Sequence, residues 1–167
     1  MLTVYFAHGK YSHPWGSKIH ALADIARSKG FEVISPDYSD LADPDERVKR
    51  LLEMWGGSQD RTVLVGSSMG GYVSAVASSV IKPVGLFLMA PAFYVPGYSV
   101  QEPVPVAQKT VVVHGWNDDV IPVQHSIRYA QQFRTELHLL ESDHRLNDQI
   151  PMLCGLFAML LDAIGRH

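Results

Sequence analysis

The fold is decided by residues 62–73, Thr62-Val63-Leu64-Val65-Gly66-Ser67-Ser68-Met69-Gly70-Gly71-Tyr72-Val73. Thr62–Val65 is an apolar, β-branched run of strand length. Beyond it Val73, Val76, Ala77 and Val80 stand at i, i+3, i+4 and i+7, the face of a helix. Between the two lies Gly66-Ser67-Ser68-Met69-Gly70, a G-x-S-x-G in the strand–turn–helix setting that a sharply turned serine requires. Gly66 and Gly70, two positions either side of Ser68, let strand and helix pass closely. The turn lifts the Ser68 hydroxyl clear of the sheet, at a helix N-terminus whose partial positive charge favours a developing anion. Ser67 shares the turn but is off the centre of the glycine frame. A plain Gly-rich turn would also read this way, and it is the flanking strand and helix that favour chemistry.

Outward from this turn, short apolar strands alternate with helical stretches along the whole chain. That is the pattern of repeated βαβ units and a mostly parallel sheet in an αβα sandwich. The expected strands are Leu2–Ala7, Phe31–Ser35, Thr62–Val65, Val84–Met89, Thr110–His114 and Glu136–Leu140. Most are unbroken apolar runs, as strands buried on both faces require. Val48, Leu51, Leu52 and Trp55 form a second helical face, and Leu153, Leu156, Phe157, Leu160, Leu161 and Ile164 a third. Asp43, followed by Pro44 and Glu46, reads as a capping-box-like helix start, and Pro122 and Pro151 as helix openers. About twenty residues between Met89 and Thr110, rich in Pro, Gly and aromatics, break the rhythm. A connection that long is usually functional or mobile. Phe93, Tyr94 and Tyr98 on it are candidate pocket walls, or else a cover for the sheet edge.

The 167 residues, 47% of them hydrophobic, fit one domain spanning residues 1–167 with a single core. A net charge of −3 argues against nucleic acid as a partner, because phosphate binding needs dense Lys/Arg patches. Arg47, Lys49 and Arg50 read as the solvated face of their helix. Cys154 is the sole cysteine, which excludes a disulfide framework and a cysteine metal site and fits a reducing compartment. The N-terminal residues lack signal-peptide features, and the longest apolar stretch, about Met152 to Ile164, is too short to span a bilayer. The expectation is a cytoplasmic protein, monomeric or homodimeric, with no membrane partner. His8 and His13, and His114 near Asp118, have no recognisable metal-ligand spacing, and no phosphate-binding glycine motif follows a strand. No metal and no cofactor are expected.

A serine hydroxyl needs a base to take its proton, and in this fold plan the order is Ser, then Asp or Glu, then His. The strand ending at His114 is followed by Gly115-Trp116-Asn117-Asp118-Asp119, so a carboxylate stands at the crevice above the sheet. Asp118 and Asp119 compete for that role, and either could instead cap the helix that Pro122 opens. His144 follows the last strand and can return over the sheet to Ser68 as base and then acid. An oxyanion hole needs donors already in place. One is the N–H of Met69; the other is that of Lys10, or alternatively Tyr11, in the loop His8-Gly9-Lys10-Tyr11-Ser12-His13. Tyr11, with the three loop aromatics, is also a candidate substrate contact, whereas His8 reads as structural.

Together His8-Gly9, Gly66-Ser67-Ser68-Met69-Gly70-Gly71, His114-Gly115-x-x-Asp118-x-x-Ile121-Pro122 and His144 resemble the α/β-hydrolase superfamily, over essentially the whole chain. Length and elbow resemble its small lidless serine hydrolases, of the YqiA-like esterase and retinoblastoma-binding protein 9 type. The resemblance implies a minimal six-stranded version of the fold, without the first two strands and without a helical lid. It selects Asp118 as the acid and implies carboxylesterase-like cleavage of a small, accessible acyl ester or thioester. Acyl transfer and peptide cleavage share the same nucleophile. A different class of function, a protein-interaction module that kept the fold and lost turnover, is motivated by the loop aromatics.

Overall fold

A strand with apolar side chains on both faces buries them only in a sheet covered on both sides, and that is how the central strands fold. The computed structural model describes residues 1–165. In chain order the elements are β1 (Leu2–Ala7), α1 (Ser17–Ser28), β2 (Glu32–Ile34), α2 (Pro44–Trp55), β3 (Arg61–Ser67) and α3 (Met69–Ile81). Then follow β4 (Gly85–Met89), β5 (Lys109–Gly115), α4 (Val123–Phe133), β6 (Glu136–Leu140), a 3-10 turn at Asn147–Gln149 and α5 (Ile150–Ile164). The six strands form one sheet in the order β2-β1-β3-β4-β5-β6, every neighbouring pair parallel. The fold is the αβα sandwich with a six-stranded parallel sheet expected from the alternation.

Side chains alternate across the strands and build two cores. Val63 and Val65 of β3 join Ile19, Leu22 and Ala26 of α1 and Leu153, Phe157 and Leu161 of α5 on one face. Leu64 faces the other way, with Leu51 of α2, Tyr72 and Val73 of α3 and Tyr129 of α4. The chain leaves β1 for one edge of the sheet and returns through β3 on its other side. The crevice for a ligand in such a sheet opens at the carboxyl ends of the strands where the order reverses. Here that point lies between β1 and β3, beside the Ser68 turn.

The expected helix starts are seen. Asp43 accepts from the N–H of Asp45 at 2.8 Å with Pro44 in the first turn of α2, Pro122 caps α4, and Pro151 opens α5. Two expectations fail. Val80 is 54% exposed, because the last turn of α3 directs Ile81 into the core and leaves Val80 open to water. Arg47 is 1% exposed and no part of a solvated face, although Lys49 and Arg50 do sit outward with Glu46 and Asp40 as partners. Its guanidinium is drawn inward by carbonyl groups of the loop after β1.

The crossover between β4 and β5 contains no helix. The loop of residues 90–108 covers that face of the sheet itself. Phe93 is fully buried and stacks on Tyr129 with ring centroids 4.1 Å apart. The Tyr94 hydroxyl donates to Glu102 at 2.6 Å, and Arg128 lies over its ring. The loop is a packed wall with no lid upon it. No helix among the described residues is long and apolar enough to cross a membrane.

Candidate active site

Ser68 stands between β3 and α3 with φ 55° and ψ −117°, a strained conformation for any residue with a side chain. The surroundings over-determine it. Its N–H donates to the Met89 carbonyl at 2.9 Å, and its own carbonyl accepts from the N–H groups of Gly71 and Ala92, each at 2.9 Å. The glycine frame is a matter of space. A Cβ on Gly70 would lie 1.8 Å from the Ala7 carbonyl oxygen, and one on Gly66 would lie 2.1 Å from that of Gly70. Only a bare backbone lets α3 leave β3 so tightly against β1.

Two loops bring a histidine and a carboxylate to this serine. His144, on the loop after β6, has Nε2 3.0 Å from Ser68 Oγ and Nδ1 2.7 Å from Asp118 Oδ2. The carboxylate is fully buried. Its Oδ1 accepts the N–H groups of Val120 and Ile121, both at 2.8 Å, so the turn after β5 clamps it. Burial would push the Asp118 carboxyl up, but hydrogen bonds from His114, His144, Ile121 and Val120 outweigh it and hold the group well below the usual carboxylate range. Asp119, one residue on, is exposed. Of the two competing carboxylates the fold turns Asp118 inward.

A second histidine supports that carboxylate. His114, fully buried at the end of β5, has Nε2 2.9 Å from Asp118 Oδ2 and 2.9 Å from the Ile121 carbonyl. Both are acceptors, so Nε2 carries a proton and donates. Its Nδ1 lies 2.6 Å from Ser126 Oγ on α4. A chain of contacts therefore runs from α4 through His114 and Asp118 to His144 and Ser68. The sequence singles out His114 only as a member of a motif, because nothing local shows that the chain four residues on folds back over it.

The loop after β1 is held from below. Arg47 donates to the carbonyls of Leu41 at 2.7 Å, His8 at 3.2 Å, Gly9 at 3.3 Å and Lys10 at 3.4 Å. His8 is structural, as expected. Its Nε2 accepts the Tyr38 N–H at 2.9 Å, which leaves Nδ1 to donate to the Gly9 carbonyl at 2.8 Å, and burial lowers its pKa. With these carbonyls turned away, the N–H groups of Lys10 and Tyr11 have no acceptor among the described residues, and neither has that of Met69.

A cavity of about 700 Å³ opens over Ser68, lined by Lys10, Tyr11, Met69, Tyr98 and His144 among others. Two of the four expected substrate contacts, Tyr11 and Tyr98, are on its wall. Phe93 and Tyr94 are not: their packing on α4 places them behind it. Lys18, which no motif marks, is on the wall as well. No group of three or more His, Cys, Asp or Glu among the described residues is placed to hold a metal ion.

No protein-family model and no curated protein matches the chain by sequence. Solved structures do. A protein of the alpha/beta hydrolase superfamily from Xanthomonas campestris pv. campestris is 31% identical with a TM-score of 0.89, over 96% of this chain and 98% of its own. A serine hydrolase without a lid, also from Xanthomonas campestris, superposes with a TM-score of 0.77 at 19% identity, over 97% of this chain and 81% of its own. Alpha/beta hydrolase domain-containing protein 10 from mouse gives 0.80 at 20% identity, over 97% and 90%. The two more distant likenesses speak to the fold. The first, at its identity and near-complete mutual coverage, speaks to kinship: the chain belongs to the α/β-hydrolase superfamily, in its small lidless form.

Proposed function

We propose that the protein is a serine hydrolase that cleaves an ester or thioester of a small acyl substrate through an acyl-serine intermediate. The observation that carries this reading is His144, within hydrogen-bond reach of both the Ser68 hydroxyl and the Asp118 carboxylate. His144 Nε2 takes the hydroxyl proton as Ser68 Oγ attacks the carbonyl carbon. The anionic oxygen is met by the free N–H groups of Met69 and Lys10. Collapse of the tetrahedral intermediate expels the alcohol or thiol, which leaves with the proton from His144. Water, deprotonated by the same imidazole, then attacks the acyl-serine and releases the acid. Asp118 stays ionised throughout, holding the ring in the tautomer that presents Nε2 to Ser68.

A cavity open to water, under no lid, suits substrates whose scissile carbonyl is reached without opening a flap. The alternative, an interaction module on a hydrolase fold, keeps only Tyr98 of its three loop aromatics at the open cavity, since Phe93 and Tyr94 are used in packing. Labelling with a fluorophosphonate probe tests the proposal. Peptide mapping is expected to find the adduct on Ser68 and none on Ser67, with no labelling of Ser68→Ala. An unlabelled wild-type protein, or a label elsewhere, contradicts it.

A further inference from the structure

The cavity over Ser68 is charged with one sign only. Lys10, Lys18 and Arg145 line it, and no Asp or Glu side chain does. Asp118, beneath it, is fully engaged with the two histidines and two N–H groups. Lys18 reaches from the first turn of α1 across the end of β3, where its Nζ donates to Ser67 Oγ at 3.0 Å, one residue from the nucleophile. That neutral hydroxyl occupies one of three ammonium donors. Lys29, Lys49 and Lys109 each have a carboxylate within ion-pair distance, whereas Lys18 has none among the described residues.

Burial brings the Lys18 pKa down to about 8; Asp143 and Asp118 oppose the shift and Arg145 adds to it. At neutral pH the group is mainly an ammonium, held beside the nucleophile with Asp143 and Asp118 in its field but no carboxylate within ion-pair distance among the described residues. The end of α1 adds to the same field, since its first turn carries no acidic residue and Gly16 offers no side-chain cap. The opposite wall differs in kind: Ala92, Val95, Val120 and Ile121 come from the loops after β4 and β5 and are apolar. Ser67 and Lys18 lie toward the α1–α5 face of the sheet, and the apolar residues toward the other.

We infer that the cavity takes an ester or thioester bearing a carboxylate a few atoms from the scissile carbonyl, paired with Lys18 while the rest of the substrate lies on the apolar wall. This rests on Ser68 being the nucleophile. A charged group desolvated beside an unpaired ammonium gains more than the same group at an exposed lysine. A neutral substrate of the same size leaves the ammonium uncompensated, which turns an energetic cost of the free protein into selectivity.

Two matched ester pairs test this with the full chain. The first compares p-nitrophenyl monoglutarate with p-nitrophenyl pentanoate, placing the carboxylate in the acyl arm. The second compares acetylated p-hydroxybenzoate with phenyl acetate, placing it in the alcohol arm. In at least one pair the anionic ester is expected to have a kcat/KM about tenfold or more above its neutral partner. Lys18→Gln is expected to abolish that ratio, Lys18→Arg to restore part of it, and Lys49→Gln, on the outer face of α2, to leave it unchanged. Ratios near one in both pairs, or a preference that survives Lys18→Gln, overturn the inference while the hydrolase reading stands. Failure of Ser68 to react with the fluorophosphonate overturns both.

Discussion

Asp118 illustrates how much one side chain is asked to do. It is buried without a cation of fixed charge, so its ionised form depends on four hydrogen bonds from His114, His144, Val120 and Ile121. Replacing it by Asn keeps the shape and reverses the tautomer demanded of His144. A loss in kcat of about 10³–10⁴ is expected, with the fold unchanged by circular dichroism. A loss under about tenfold contradicts the role assigned to it. At this scale the sequence was legible where order mattered. Ser68, a carboxylate after β5 and His144 after β6 follow from element order alone. Residue type and position alone left Asp118 and Asp119 in competition, since they differ only in the direction the turn gives them; the resemblance selected Asp118, the one the turn directs inward. Lys18 carries no local mark for a related reason, since its meaning comes from Ser67, 49 residues away.

Helices and loops add the constraints that hold these side chains. The Gly70 position admits no Cβ, since the obstruction at 1.8 Å is the backbone of β1 and cannot swing aside. Gly70→Ala is expected to lose more than about 4 kcal/mol or to fail to fold, seen as a shifted urea midpoint or as insoluble protein. A midpoint within 1 M of wild type contradicts the packing described. Arg47 works at longer range, from α2 to the loop after β1. Arg47→Met retains much of its bulk and leaves several buried carbonyls without donors. It is expected to cost about 3–5 kcal/mol and to lower kcat/KM by freeing the Lys10 loop. Full activity at unchanged stability would show that the loop holds its own shape. Helical periodicity could not reveal this residue: a charged side chain in a polar stretch looks solvated until the carbonyls that receive it are known. Val80 erred in the opposite sense, for periodicity marks a face without showing where its cover ends.

At the scale of the molecule the plan was the most legible part. The alternation of strand-length runs with helical stretches marks the strands: the observed β1 and β6 match the expected spans and the others differ by one or two residues at their ends. The loop of residues 90–108 was legible as an exception but not as a wall, because stacking of Phe93 on Tyr129 joins segments far apart in sequence. Lys18 gives a prediction for overall stability. Its pKa is about 8 in the folded protein against about 10.5 unfolded, so the unfolded chain holds the extra proton between those values and stability rises with pH across that window. Below pH 8 the cost of the buried ammonium is present in full. Lys18→Met should therefore raise Tm by about 2–4 °C at pH 7, and the gain should shrink toward pH 10. A lowered Tm at pH 7 would show that Lys18 stabilises the free protein.

Under the proposed chemistry Ser68 is the group acylated during turnover. Steady-state hydrolysis of p-nitrophenyl acetate by wild type and by Ser68→Ala, with both shown to be folded, tests it most directly. The predicted result is a fall in kcat on the order of 10⁵–10⁶, to a residue left by the cavity and its N–H donors. Turnover by Ser68→Ala within tenfold of wild type would contradict it.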